Sequence, residues 1–202
     1  AGIANYGFIP IPLIRDMWGE GELAVLFVHN AGVELAFWTL GVAIVSGVSL
    51  KRSLKKAANP TAITLVVAVG MNLLGVDVYV PEAISKTISA IAACSIPIGL
   101  LMIGMTLRDL ARDGESLFET RSSLGAVAVR LLILPVIVLT LAKTLPIAIE
   151  LKRVLIVQAA MPAAIMTIVV ARHYGGQPMV ATRVALATTV VCVLAIPIWI
   201  RV

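Results

Sequence analysis

The chain has 202 residues, of which 60% are hydrophobic, 13% charged and 5% aromatic, with a formal net charge of +5 and a mean hydropathy of +1.03. Soluble domains average roughly 45–50% apolar and about 25% charged residues, so this composition excludes a soluble globular enzyme. The bases sit between hydrophobic runs and form no aromatic-studded patch, which excludes a nucleic-acid surface and fits the cationic loops of an all-α polytopic membrane protein.

About 20 apolar residues cross a bilayer core, and on that rule the chain divides into seven apolar segments. The first, Ala1–Met17, is short and interrupted by Asn5, Gly7, Pro10 and Pro12. A proline in a helix clashes with the carbonyl four residues back and leaves it without an amide partner. Pro10 therefore frees the carbonyl of Tyr6, and Pro12 that of Phe8. No signal-peptide region precedes Ala1, so the natural start is expected upstream. A short loop, Trp18–Glu22, leads to the span Leu23–Val48, which contains His29, Asn30 and Glu34.

The run Lys51–Lys56 has four bases and no acid, the strongest cytoplasmic marker in the chain. Thr61–Val76 is the third span and Glu82–Leu107 the fourth, separated by the base-free turn Asp77–Pro81. The loop Arg108–Arg121 carries both signs. Ser122–Leu145 follows with Arg130 and Pro135, then Glu150–His173 with Pro162, and Met179–Ile200 with Arg183. Alternation from Lys51–Lys56 puts Arg108–Arg121 inside and the C-terminus outside a plasma (bacterial inner) membrane. Lys152 and Arg153 then fall outside, against the rule.

Chemistry-bearing motifs are scarce. There are two histidines, His29 and His173, and no H-E-x-x-H, G-x-S-x-G or Walker A sequence. No enzyme activity, metal or cofactor is expected. Cys94 and Cys192 lie in apolar runs without a C-x-x-C pair and are expected as small buried residues.

The intramembrane polar groups are more informative. Glu34 lies near the middle of its span, where an acid costs at least ~2.5–3.5 kcal/mol, and Asn30 shares its helix face one turn earlier. Arg130, the deepest base, is the natural partner for Glu34. These three residues are the candidates for coupling an ion, H+ or Na+. Interrupted segments in both halves of a carrier point to its site, and half-helix N-termini favour anions. Asn5 and Gln158 stand just before the two breaks, where their amides are placed to meet a substrate. Pro162 frees the carbonyl of Gln158 itself.

Four stretches, taken in order, carry a resemblance. ANYGFIPIPLIRDMWGEG, VELAFWTLGVAIVSG, IPIGLLMIGMTL and QAAMPAAIMTIVVARHYGG resemble the auxin efflux carrier family, which includes bacterial malate and malonate permease-like members. The resemblance implies a ten-helix carrier of two five-helix inverted repeats, each with a broken fourth helix, the breaks crossing near the midplane. Residues 1–50 would then be the last two helices of the first repeat, 51–60 a cytoplasmic linker and 61–202 the second repeat. Asn5, Gly7 and Pro12 match the first crossover, and Pro162, Ala171 and Tyr174 the second. Pro10 stands where the family has glycine.

On this reading the chain is a secondary carrier for small organic anions such as dicarboxylates or auxin-like carboxylates. Asn5, Gly7, Pro10, Pro12, Gln158, Pro162 and Ala163 are its expected substrate-binding positions. The implied partners are the bilayer, the anion, a coupling H+ or Na+ and, by family analogy, a second copy in a homodimer. A sodium-coupled bile acid symporter-like carrier and a non-transporting membrane fragment stand as alternatives.

Overall fold

The computed structural model describes residues 2–47, 60–112 and 121–200, and every named element in it is helical. The protein is an all-α polytopic membrane protein. α1 is Pro10–Trp18. α2 runs Glu20–Ala36, widens into a π-helical turn, Phe37–Gly41, and ends as Val42–Ser46. α3 is Pro60–Leu73 and α4 is Glu82–Arg112. α5 comprises Arg121–Ala128, a π-helical turn Val129–Ile133 and Leu134–Thr144. α6 is Ile149–Ala160, α7 Met166–His173 and α8 Pro178–Ile200.

Four stretches are long and apolar enough to cross a membrane: Glu20–Val45, Glu82–Met102, Ser123–Thr144 and Pro178–Ile200. They coincide with four of the seven expected spans. The expected span Thr61–Val76 is the shorter α3, of 14 residues, which gives way to a tight helical turn at Val76–Tyr79. The two remaining segments are broken, as their prolines require. Apart from Pro60, the basic linker 51–60 lies outside the described residues, and so does most of the loop Arg108–Arg121.

α1 and α2 meet at a turn on Gly19, whose φ of 96° is open to glycine and strained for other residues. They pack with α6 and α8 around Ile14, Leu23, Leu26, Val154, Val157 and Met161, with Trp18 and Trp199 at the rim. Phe37, Val42 and Val170 form a second cluster where the end of α2 meets α7. α4 stands apart: 6% of its membrane-length window is buried, and Ile84, Ile88, Ile91 and Leu101 are exposed along it. Cys94, expected to be buried, is exposed on this helix, while Cys192 is buried in α8. Apolar sequence does not distinguish a lipid-facing surface from a core-facing one.

The first break differs from expectation in where its prolines act. Pro10 and Pro12 do not interrupt a helix; they start one. Pro10 stands at the first helical position of α1, where its missing N–H costs nothing and its fixed φ suits the helix. The non-helical stretch lies upstream, over Ile3–Ile9. The second break is where Pro162 predicts it. α6 stops at Ala160, Met161 turns extended with ψ 145°, and α7 resumes at Met166.

Pro135 shows how a third proline is absorbed. In a regular helix its ring would collide with the carbonyl of Leu131. The π-helical turn Val129–Ile133 widens the helix there, and Trp199 of α8 donates its Nε1–H to that carbonyl at 2.9 Å. Trp199→Phe keeps an aromatic ring, though a smaller one, and removes the donor. It should lower stability by about 1 kcal/mol, measured by unfolding in detergent; an unchanged midpoint would show that the Leu131 carbonyl does not need Trp199.

Candidate functional site at the crossing of two broken helices

The two interrupted segments meet. Ala4 and Ala163 form an isolated antiparallel bridge. The Asn5 N–H donates to the Pro162 carbonyl at 2.7 Å, and the Ala164 N–H to the Ile3 carbonyl at 2.9 Å. Alanine on both strands lets the backbones come this close, as small residues do wherever membrane segments cross tightly. The extended backbone at Met161–Ala164 is buried in protein, with Ala163 fully enclosed, and Ile3 and Ala4 are half-buried against it; enclosure by protein is the condition for non-helical chain at membrane depth.

Side chains from the surrounding helices close the remaining backbone groups. Asn30 of α2 donates its Nδ2–H to the Tyr6 carbonyl at 2.8 Å, in the non-helical stretch ahead of α1. Arg130 of α5 donates from Nη2 to the Gln158 carbonyl at 2.9 Å and from Nε to the Met161 carbonyl at 2.8 Å. Thr188 of α8 accepts the Ala163 N–H on its Oγ1 at 3.0 Å.

These contacts join into one network. Gln158 donates its Nε2–H to Asn30 Oδ1 at 3.1 Å, so α6 and α2 are tied together beside the crossing. Tyr6 donates its hydroxyl to Glu34 Oε2, and Trp38 donates Nε1–H to Glu34 Oε1 at 2.8 Å. Both carboxyl oxygens therefore accept a hydrogen bond. Asn5, Asn30, Glu34, Arg130, Gln158 and Thr188 are all buried.

One group at the crossing is left over. Asn5 accepts the Phe8 N–H on its Oδ1 at 3.2 Å, which fixes the amide plane, but its buried Nδ2 has no partner. The half-helices that leave the crossing, α1 and α7, have no side-chain cap at their N-termini. An unfilled donor amide near helix starts is a setting for negative charge, to which α1 brings its dipole alone, since Pro10 and Pro12 have no N–H and that of Ile11 goes to the Gly7 carbonyl.

The sequence model of a family described as membrane transport protein matches residues 44–200. The chain belongs to the auxin efflux carrier family. An uncharacterized transporter from Methanocaldococcus jannaschii is 27% identical across 98% of this chain, which spans 64% of that relative's length. This auxin efflux carrier family member is a multi-pass integral membrane protein.

Within this family member, the expected site residues separate into two groups. Asn5, Gln158, Pro162 and Ala163 come together at the crossing. Gly7 lies in the turn ahead of α1 and its carbonyl accepts the Ile11 N–H at 3.1 Å. Pro10 is buried and Pro12 half-buried in the first turn of α1.

The expected Glu34–Arg130 pair does not form. Arg130 is committed to the two carbonyls at the end of α6, and Glu34 to Tyr6 and Trp38. The carbonyls at the end of a broken helix attract the deep cation as an acid would. His29 is half-buried with Nδ1 3.5 Å from Asn30 Oδ1, and His173 is exposed at the end of α7.

Tyr6, Trp38, Thr188 and Trp199 were not anticipated. Trp38 follows Glu34 by one helical turn, a spacing that brings side chains together, so it was within reach of sequence reasoning. Nothing marks Thr188 out from Thr182 or Thr189. Replacing Thr188 with the near-isosteric valine strands the Ala163 N–H, and should cost about 1–3 kcal/mol. Thermal unfolding in detergent would measure this, with Thr189→Val as the control expected to show the smaller loss.

Proposed function

We propose that this chain forms the crossover region of a secondary active carrier for small organic anions, such as dicarboxylates or auxin-like carboxylates. The observation that carries the reading is the unpartnered Nδ2 of Asn5. Asn30 and Gln158, the other buried amides here, have their donors engaged. A buried donor left unfilled costs about 1–3 kcal/mol, and a substrate carboxylate oxygen is the acceptor that fits it. The starts of α1 and α7 add a favourable dipole, while Pro10 and Pro12 carry no N–H and the N–H groups of Ile11, Thr167 and Ile168 are already taken by local carbonyls. Gln158 and the backbone at Pro162–Ala163 form the other side of the binding position.

The proposal extends to a 5+5 inverted-repeat carrier that works by alternating access, with the two breaks as counterparts. Glu34 is its coupling acid. A proton arriving on Glu34 removes its charge and so weakens the bonds it accepts from both donors. Tyr6 is the donor that belongs to the crossing itself, while Trp38 rides on the same helix as Glu34. Protonation therefore weakens the hold on the first break, while Trp38 stays beside Glu34 on α2.

Uptake of labelled malonate, malate and phenylacetate into liposomes holding the full-length carrier tests both parts. Asn5→Ala should raise KM by about tenfold, the equivalent of one lost charged hydrogen bond. Glu34→Gln should retain uptake but lose its response to an imposed pH gradient. An unaltered pH response in that variant removes Glu34 from coupling, and uptake that needs sodium but ignores pH favours the symporter-like alternative.

A further inference from the structure

Arg130 is a buried cation with no acidic partner among the described residues. Its hydrogen-bonding partners are the carbonyls of Gln158 and Met161. Carbonyl dipoles at a helix C-terminus are equivalent to only part of a negative charge, so they offset the guanidinium incompletely. Glu34, the nearest candidate by expectation, is already held by Tyr6 and Trp38.

The place of this charge in the chain is specific. The Met161 carbonyl goes to Arg130, and the next carbonyl, that of Pro162, goes to the Asn5 N–H. One peptide unit therefore separates the guanidinium's anchor from the backbone of the residue with the unfilled amide. Gln158 is held at both ends, its carbonyl by Arg130 and its Nε2 by Asn30. Arginine suits the task because its planar fork reaches two acceptors at once and keeps its charge when buried, whereas lysine offers a compact ammonium.

Resting on the carrier reading above, we infer that Arg130 is a positioning residue that makes the crossing selective for anions. Its fork sets the end of α6 against the first break, and its incompletely balanced charge supplies the field that a bound carboxylate completes. The two tasks separate by substitution. Arg130→Lys keeps the charge and loses the fork. Arg130→Gln loses the charge and keeps a donor for one carbonyl.

The test is concentration-dependent uptake of labelled malonate by the full-length carrier in liposomes, wild type and both variants side by side. Arg130→Gln should raise KM at least about tenfold, and Arg130→Lys should hold KM within about twofold while its maximal rate falls several-fold. An unchanged KM in Arg130→Gln overturns the inference. So does a KM in Arg130→Lys that rises about tenfold or more, and this arm remains decisive if the glutamine variant does not fold. Wild-type liposomes that take up no malonate, malate or phenylacetate overturn the carrier reading and this inference with it. Uptake by wild type with either failing variant pattern overturns the role of Arg130 alone.

Discussion

A proline in an apolar helix leaves a carbonyl without its amide, and a bilayer core has no water to take that amide's place. Three carbonyls, each four residues before a proline, govern how this bundle fits together, although Tyr6 precedes its helix and Gln158 also accepts the Met161 N–H. Tyr6, four residues before Pro10, is matched by Asn30; Leu131, four before Pro135, by Trp199; and Gln158, four before Pro162, by Arg130. In each case the donor reaches in from another helix, so the local defect is repaired only when that neighbour is in register. The repairs link α2 to the first break, α8 to α5, and α5 to the second break. Lipid tails are as apolar as leucine and give helices little reason to choose one neighbour over another. The unsatisfied carbonyls supply that reason here.

The same repairs hold the candidate site in shape. Arg130, Gln158, Asn30, Tyr6, Glu34 and Trp38 follow one another through hydrogen bonds across four segments of the chain. Individual interhelical hydrogen bonds in membranes contribute only about 0.6 kcal/mol on average. A chain of them in which each member also completes a neighbour is stronger than the sum of separate deletions suggests. The extended backbone at Ile3–Asn5 and Met161–Ala164 is thus held from both sides by donors and acceptors already in place. A site built this way needs little rearrangement to receive a ligand.

Much of this was legible in the residues. Four unbroken spans and the break at Pro162 follow from apolar length and from what proline cannot donate. The Gln158 carbonyl, expected to be freed, still accepts the Met161 N–H as well as Arg130. The first break was displaced, because the same residue that disrupts a helix interior is welcome at its first position, and sequence does not announce which position Pro10 holds. Pairing Glu34 with Arg130 failed for a related reason. Charge complementarity considers side chains, whereas the strongest demand on Arg130 came from backbone at a break 28 to 31 positions away in sequence. Thr188 was illegible because its acceptor role depends on tertiary placement alone.

The degree of packing varies sharply around the crossing. α1, α2, α6 and α8 share a closed core, while α4 buries little of itself. Yet α4 comes very close to the crossing at Gly99, where an added Cβ would overlap the Phe8 ring. The Phe8 backbone N–H is also the donor that orients the Asn5 amide. One residue therefore seats the loosely packed helix with its ring and aims the unfilled donor with its backbone. Glycine at position 99 is what lets both contacts exist together, since any larger residue there would push the ring away and drag on the turn that holds Asn5. The least buried of the membrane-length helices and the buried amide of Asn5 are thus mechanically connected through three consecutive peptide units.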